Sequence, residues 1–595
     1  MCGIFAIIHS SLDPEQLRLL ALERSRSLRH RGPDWNGLHI QTGKNSLSTV
    51  LVHERLAIVD PASGKQPLFD ASGQIAVTVN GEIYNHIVLR DTLVPPEEVQ
   101  GWTTGSDCQP LPSLYKFYGA DMCDKLDGMF AFVISDGRTG EFLAARDPLG
   151  ICSMYVGYAS DGSVWFASEM KALMDDCEQV SVFPPGHFYD STLNNGQGAF
   201  KRYYNPSWWW SPEKPLPTKA CLVSDLREAL EKSVRKRLMC DVPFGLMLDG
   251  GSLGSFIVAA IAAREFAKVS ASEMDSHLWT HQLHTFSIGL KDSKDLHVAK
   301  KVAEVLGTVH HAFTIEIEEG LNALEDVISL IETYDVPTVR KAVPMYLLCR
   351  LIKSLGIKVV LTGEGANEVF GALPGFDMAP NKEAFFCEQQ KCLDLLQYFD
   401  LLRASKASMA WGVEARVPFL DREFLDFVMT RDPAENMWGS MNKDRLEKQN
   451  LRDAFKGYLP DDLLYRPTEG SCSPDVCGLG DKWIPSLTAY AEKRVTDLMM
   501  SKAGVLFPTN TPTTKEGYLY RMIFAKCYNK NCAARTVHPR VPLSFSCPPS
   551  TDMNGRVVQG EKECKRIKHV HVEMKAKEGA PEQANCREES ATVYA

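Results

Sequence analysis

The sequence has no uninterrupted apolar stretch near the ~20 residues of a membrane span, so no transmembrane helix is expected. Its 17 cysteines include no C-x-x-C pair, which indicates neither the common zinc spacing nor a disulfide framework. An odd, scattered set suits a reducing compartment. The start, Met1-Cys2-Gly3-Ile4-Phe5, lacks the basic n-region of a secretory signal, and the expected location is the cytoplasm. Excess positive charge is missing too: a formal net charge of -10 argues against nucleic acid as the main partner. What remains is a chain of 595 residues, 44% hydrophobic and 24% charged. That composition is ordinary for a globular protein, and the length calls for two or more domains.

Cys2 opens an apolar run of strand length, Gly3 to Ile8. With Met1 removed, Cys2 would carry a thiol and an α-amino group together. That amine (unperturbed pKa about 8) can act as base for its own thiol. Read alone, a lone Cys on a strand is more often a small buried residue. Four later stretches change the weighting: Arg29-His30-Arg31-Gly32-Pro33-Asp34, His53-Glu54-Arg55-Leu56-Ala57-Ile58-Val59-Asp60, Val79-Asn80-Gly81-Glu82-Ile83-Tyr84-Asn85 and Thr104-Gly105-Ser106-Asp107. Arg55 can pair bidentately with an α-carboxylate, and Asp107 can hold an α-ammonium. The Asn80 amide and the Gly81 N–H could form an oxyanion hole.

Lys201 to Pro217 is rich in aromatics and proline and reads as a connector packed on a surface, with a domain boundary near it. Beyond Lys219 helix and apolar strand alternate. Helices are predicted over Leu222 to Arg237 and Asp295 to Leu306. Strands are predicted over Val242 to Leu248, Leu283 to Leu290, His310 to Ile315 and Lys358 to Thr362. This predicts a parallel sheet with helices on both faces and a ligand site at the C-terminal strand ends. The loop Asp249-Gly250-Gly251-Ser252-Leu253-Gly254-Ser255 lies at such an end, before a helix. Its glycines and the helix N-terminus suit a phosphate, whereas Asp249 would repel one. A tight turn between buried elements is the other reading of the same residues. His310 and His311 would point to opposite faces of a strand, which disfavours a shared metal. From about residue 536 the chain turns to Pro, Ser, Lys and Glu, and disorder is expected over 536–595.

The motifs Met1-Cys-Gly-Ile4, His30-Arg-Gly-Pro-Asp34, Arg55-Leu-Ala-Ile-Val59, Asn80-Gly-Glu-Ile-Tyr-Asn85 and Gly105-Ser-Asp107 stand in order. Together they resemble the N-terminal-nucleophile glutaminase domain (class II glutamine amidotransferase) of the glutamine-hydrolysing asparagine synthetases. Asp241-Val-Pro-Phe-Gly245, Glu332-Thr-Tyr-Asp335, Gly363-Glu-Gly365 and Glu414-Ala-Arg-Val-Pro-Phe-Leu-Asp421 resemble that family's synthetase domain. The resemblance implies an α+β half, an α-β-β-α sandwich over 2–200. An α/β ATP-pyrophosphatase-like domain with a parallel sheet would cover 218–535. It implies Cys2 as nucleophile and Asn80 and Gly81 as oxyanion donors. Glutamine would be bound by Arg55, Leu56, Ala57, Ile58, Val59, Asn80, Gly81, Glu82 and Asp107. ATP would be bound by Leu248, Ile288, Thr362 and Gly363, with Glu364 serving adenylate formation. The implied reaction consumes ATP, with Mg²⁺, and moves ammonia from glutamine to an aspartyl adenylate.

Departures from the family pattern cluster in the second half. The family's pyrophosphate loop, Ser-Gly-Gly-Leu-Asp-Ser-Ser, is Asp249-Gly-Gly-Ser-Leu-Gly-Ser255 here, so its magnesium-binding Asp is Leu253. A second magnesium carboxylate is Asn367, and the lysine that steadies the transferring phosphate is Thr468. Magnesium takes oxygen ligands, and leucine offers none. Losing one such interaction costs on the order of 10²–10³ in rate. The expectation is intact glutamine hydrolysis with weakened or lost aspartate adenylation, and no metal ligand at Leu253 or Asn367. The rival readings are an amidotransferase for another carboxylic acid and a non-catalytic partner of an active synthetase. Homodimers or hetero-oligomers with another synthetase are the implied assemblies.

Overall fold

A computed structural model describes residues 1–43, 47–209, 214–272, 282–439, 442–466, 482–540, 543 and 545. The run after Cys2 becomes the strand Gly3–Ser10, interior to a six-stranded antiparallel sheet. Its order is Cys177–Val182, Tyr155–Ala159, Val164–Ala167, Gly3–Ser10, Ser48–Arg55 and Trp35–Thr42. Alternation along the strand divides its side chains between two cores. Ile4, Ala6 and Ile8 pack against Ala131 and Val133 of a second sheet. Phe5 and Ile7 turn the other way, toward Leu17 and Ala21 of the helix Pro14–Ser25.

The second sheet is also six-stranded and antiparallel: Ala199–Arg202, His187–Asp190, Phe142–Arg146, Gly128–Asp136, Ile75–Ile83 and Leu68–Phe69. Phe130, Phe132 and Ile134 on its outer face meet Leu111 and Leu114 of the helix Pro110–Tyr118. Helix, sheet, sheet and helix thus form the expected sandwich.

The third sheet is parallel throughout, in the order Val309–Ile315, His284–Leu290, Phe244–Met247, Val359–Leu361 and Glu414–Arg416. Four of its strands fall where periodicity puts them. The fifth, Glu414–Arg416, is three residues long and joins the edge beside Val359–Leu361. The predicted helices appear as Val223–Lys236 and Lys294–Leu306, and Leu253–Ser272 follows the glycine loop. His310 reaches Thr285 and Ser287, whereas His311 stacks on Phe286, so the two histidines do occupy opposite faces.

All three sheets lie within one unit, Met1–Phe545. The connector packs as expected: Tyr204 and Trp208 are buried and both donate to Asp426 on the helix Arg422–Met429. Its residues 210–213 lie outside the described residues. Of the segment expected to be disordered, residues 536–540 are described and hold fixed contacts. Arg540 pairs with Asp335 at 2.9 Å, and the His538 ring lies 4.9 Å from that of Tyr398. Residues 541–542, 544 and 546–595 lie outside the described residues, as does Thr468. The cysteines that are described are free thiols.

Candidate active sites

Cys2 sits at the head of its strand, with its N–H donating to Asn80 Oδ1 at 2.6 Å. Its sulfur accepts the Leu56 N–H at 3.4 Å and lies 3.7 Å from the Leu56 carbonyl. Arg31, fully buried, donates from Nε to the Cys2 carbonyl at 2.9 Å. Burial pushes the Cys2 thiol up, against the pull of the nearby terminal ammonium. Burial also lowers that ammonium, the α-amino group of Met1, favouring its neutral form.

Asn80 and Glu82 alternate with Gly81 on Ile75–Ile83, so both project to the face that Cys2 occupies. With Oδ1 engaged by Cys2, Asn80 Nδ2 is buried and has no hydrogen-bond partner. An unsatisfied buried donor is costly and marks a place where an acceptor would be stabilised. Gly81 has φ +143°, and a Cβ there would lie 1.9 Å from the Met129 carbonyl oxygen. No other residue fits this backbone.

Arg55 is buried and donates to the carbonyls of Pro61 (3.1 Å), Val59 (3.4 Å) and Asp60 (2.6 Å), curling Leu56–Asp60 around its guanidinium. Asp60 ties that turn to the next motif by accepting from Thr104 Oγ1 at 2.5 Å and Gly105 N at 2.8 Å. Burial raises its pKa, but hydrogen bonds from Ser63, Thr104 and Gly105 win and hold it at about 2. Asp107 accepts the Ile83 N–H at 2.7 Å. Thus Cys2, Arg55 to Val59, Asn80 to Glu82 and Asp107 are brought together.

Two further members come from the other half of the chain. Arg416 Nη2 lies 3.2 Å from Glu82 Oε2, and Arg416 Nε donates to Glu414 Oε1 at 2.7 Å. Glu414 also pairs with the α-ammonium of Met1. Glu82 is pushed up to about 7 by burial and by the like charge of Asp107, with Arg416 opposing both. Neither Arg416 nor Glu414 carried any sign in the sequence of belonging to the first site. They were noted only as part of a motif of the second half.

At the parallel sheet, the loop after Phe244–Met247 folds on itself. Asp249 accepts the Gly251 N–H through Oδ1 at 3.2 Å, and Ser255 Oγ accepts the Asp249 N–H at 3.2 Å. The Asp249 carboxyl is pushed up to about 6 by burial and by Asp295. Leu248 and Ile288 are buried, and Thr362 N–H donates to the Arg416 carbonyl at 3.0 Å. Glu364 pairs with Arg403 at 2.7 Å. Leu253 is buried in the hydrocarbon core. Among the described residues no group of three or more His, Cys, Asp or Glu could hold a metal ion. Leu253, where the resemblance implies a magnesium carboxylate, offers no oxygen ligand, so this residue does not fit that role.

Cations do line this end of the sheet, and sequence reasoning missed two of them. Arg466 donates to the Gly250 carbonyl at 3.1 Å. Lys448 is buried and lowered to about 8 by burial, with Glu447, Glu368 and Asp249 pulling the other way.

One half of the chain thus gathers polar and charged groups around the Cys2 thiol, and the other places a glycine loop at the end of a parallel sheet. Residues 1–198 match the family described as glutamine amidotransferase domain. Residues 225–389 and 388–546 match the family described as asparagine synthase. An asparagine synthetase (glutamine-hydrolysing) of Triphysaria versicolor is 47% identical over 96% of this chain and 96% of its own length. Another, of Asparagus officinalis, is 50% identical over 93% of this chain and 90% of its own. Asparagine synthetase (glutamine-hydrolysing) 1 of Arabidopsis thaliana is 48% identical over 90% and 88% respectively. The chain belongs to the glutamine-hydrolysing asparagine synthetase family. Among the described residues no helix is long and apolar enough to cross a membrane.

Proposed function

We propose that this chain hydrolyses glutamine at Cys2 and transfers the ammonia to an acceptor acid slowly, because its synthetase centre is altered. The free Nδ2 of Asn80 beside the Cys2 backbone carries the first part of this reading. Once Met1 is removed, the Cys2 amine takes the thiol proton and the thiolate attacks the glutamine side-chain carbonyl. Asn80 Nδ2 and the Gly81 N–H receive the oxyanion. The proton passes to the leaving nitrogen, the C–N bond breaks, and ammonia departs from a thioester that water then hydrolyses. Arg55 and Asp107 bind the α-carboxylate and α-ammonium of glutamine. This division of labour assigns 2–200 to the glutaminase and 218–535 to the synthetase half.

Glutamine, aspartate and ATP are the family's substrates, and aspartate is the acceptor we assign. ATP would lie against Leu248, Ile288, Thr362 and Gly363, with Glu364 near the adenylate. Two observations support a weakened adenylation: Leu253 lies in the core, and the Gly251 N–H is taken by Asp249. The test is one incubation with glutamine, ATP, Mg²⁺ and aspartate in which glutamate, pyrophosphate and asparagine are followed together. Glutamate release should vanish in Cys2→Ala, and aspartate-dependent pyrophosphate release should be slow. Undiminished glutamate from Cys2→Ala refutes the first part. Asparagine formed as fast as glutamate refutes the second. The altered loop equally favours a chain that works beside an active synthetase, which mixed-subunit assays would reveal as a gain in asparagine.

A further inference from the structure

The turn that follows the strand Ser48–Arg55 borrows part of its framework from the synthetase half. Residues 56–60 lie outside the sheets, so their backbone groups need partners other than a neighbouring strand. Some partners are local. Asp34 Oδ2 accepts the Ala57 N–H at 2.8 Å, and Arg55 holds the carbonyls of Val59 and Asp60. Others come from far along the chain. Lys358 Nζ donates to the Ala57 carbonyl at 3.2 Å and to the same Asp34 Oδ2 at 2.7 Å. Asp241 N–H donates to the Ile58 carbonyl at 3.1 Å, and Asp241 Oδ2 accepts the Asp60 N–H at 2.8 Å. Ala57 is thus gripped by its N–H through Asp34 and by its carbonyl through Lys358. Asp60, at the other end of the turn, has φ +46°, a left-handed backbone that is uncommon outside glycine, and Asp241 fixes its N–H.

What these grips hold is the glutamine side of the first site. The Leu56 N–H, one residue before Ala57, donates to Cys2 Sγ at 3.4 Å. Asp60 ties the far end of the turn to Thr104 and Gly105, beside Asp107. A shift of the turn therefore moves a contact of the thiol, the carbonyls around Arg55 and the Asp107 motif together. Lys358 and Asp241 themselves stand just before the strands Val359–Leu361 and Phe244–Met247, which pair in the parallel sheet. Burial raises the Asp34 pKa, but hydrogen bonds from Lys358 and Ala57 hold it below the usual carboxylate value, so Lys358 meets a carboxylate at neutral pH. The side chains of Lys358 and Asp34 are 25% and 30% exposed, so losing the pair costs little global stability. Its effect falls on the shape of the turn.

We propose that Lys358 and Asp241 are positioning residues for glutamine hydrolysis, supplied by the synthetase half, which hold residues 56–60 in their glutamine-binding shape. This rests on the reading that Cys2 hydrolyses glutamine. Each residue acts through the backbone of the turn, so its contribution is made to glutamine binding before any bond is broken. The glutamine pocket is complete only with the two halves docked.

The experiment is steady-state glutamate release by the full-length chain over a range of glutamine concentrations, so that kcat and KM separate. Lys358→Met and Asp241→Ala should each raise KM for glutamine about tenfold, the scale of one charge-assisted hydrogen bond, with kcat changed less than about twofold. Lys358→Arg keeps a cationic donor and Asp241→Asn keeps an acceptor oxygen, and both should stay near the wild type. A merely structural role would leave fewer active molecules, which lowers kcat and leaves KM alone. If either variant releases too little glutamate to assay, glutamine-dependent thermal stabilisation of Cys2→Ala is compared with and without the same substitution, and it should shrink at a fixed glutamine concentration. An unmoved KM in either variant, a fall in kcat alone, or equal stabilisation by glutamine overturns the proposal. Cys2→Ala assayed in parallel separates the two readings. Undiminished glutamate release from it brings down the functional reading and this proposal together. Lost release with an unmoved KM in the clamp variants brings down this proposal alone.

Discussion

Arg416→Met should move the acid limb of glutamine hydrolysis to higher pH. Arg416 is fully buried, and its Nη2 lies 3.2 Å from Glu82 Oε2. At an effective dielectric near 20, unit charges at that separation attract by roughly 5 kcal/mol. Desolvation offsets much of this, and because neither Arg416 Nη2 nor Glu82 Oε2 makes a hydrogen bond, the lower part of the effect of a close opposite charge applies, about 1.5–3 kcal/mol. That is equivalent to about one to two pH units. Glu82 titrates at about 7 with Arg416 present. If its carboxylate is needed for glutamine, kcat/KM in the wild type falls below about pH 7, and in Arg416→Met the fall begins about one to two units higher. The assay is initial-rate glutamate release across the neutral range at several glutamine concentrations, so that kcat and KM separate. Glu82→Gln should be slower and lack the limb. A limb that stays near pH 7 in Glu82→Gln, or does not move in Arg416→Met, would refute the assignment. The same shift has a stability sign. The folded pKa of Glu82 lies above its usual 4.5, so its contribution is full below about 4.5 and is lost as pH rises to about 7. The magnitude is about 3 kcal/mol for a shift of that size.

Two further predictions concern the joint between the halves and the altered loop. Lys406 and Glu332 are fully buried partners, and Lys406 also donates to Tyr155 OH at 2.7 Å across the joint. Lys406→Met should cost roughly 3–5 kcal/mol in denaturant unfolding by stranding the Glu332 carboxylate, while Lys406→Met/Glu332→Gln recovers most of it. A double variant no better than the single one would show that packing dominates. Asp249→Ser/Leu253→Asp/Asn367→Asp should raise aspartate-dependent pyrophosphate release on the order of 10²-fold by freeing the Gly251 N–H and supplying oxygen ligands. No gain in a folded triple variant would place the defect elsewhere.

Several strands and helices, most of them in the second half, were legible because they carry an apolar run or a core-facing repeat, whereas the layered sandwich of the first half followed from the resemblance. Gly3–Ser10 and His284–Leu290 are examples, the first interior to its sheet and the second flanked on both sides by other strands. The glutamine pocket was legible as a set of motifs whose residues carry distinct chemistry. The strand Glu414–Arg416 was not, because two of its three residues are charged, unlike the apolar Val359–Leu361 of equal length, and its charges have meaning only opposite Glu82 and Met1. Asp60 was missed for a related reason. Its carboxylate accepts from the N–H and Oγ of nearby Ser63 and from Thr104 and Gly105 on a turn far along the chain, and the local sequence does not reveal that second set.

The glycine loop illustrates the opposite error, in which a legible signal means something narrower than it suggests. A Cβ at Gly250 would lie 1.9 Å from the Asp295 carbonyl oxygen, and one at Gly363 would lie 2.3 Å from the Ser255 nitrogen. These glycines are required by the close approach of helix and strand ends, whatever the loop binds. Their presence diagnoses the fold and says nothing about phosphate. The chemistry resides in Asp249, which occupies a loop N–H with its own carboxylate, and in Leu253, which has joined the core. A loop can therefore keep the shape of its family while its anion-binding donors are satisfied from within. This is why the triple substitution is a sharper test of the second half than any change at its glycines.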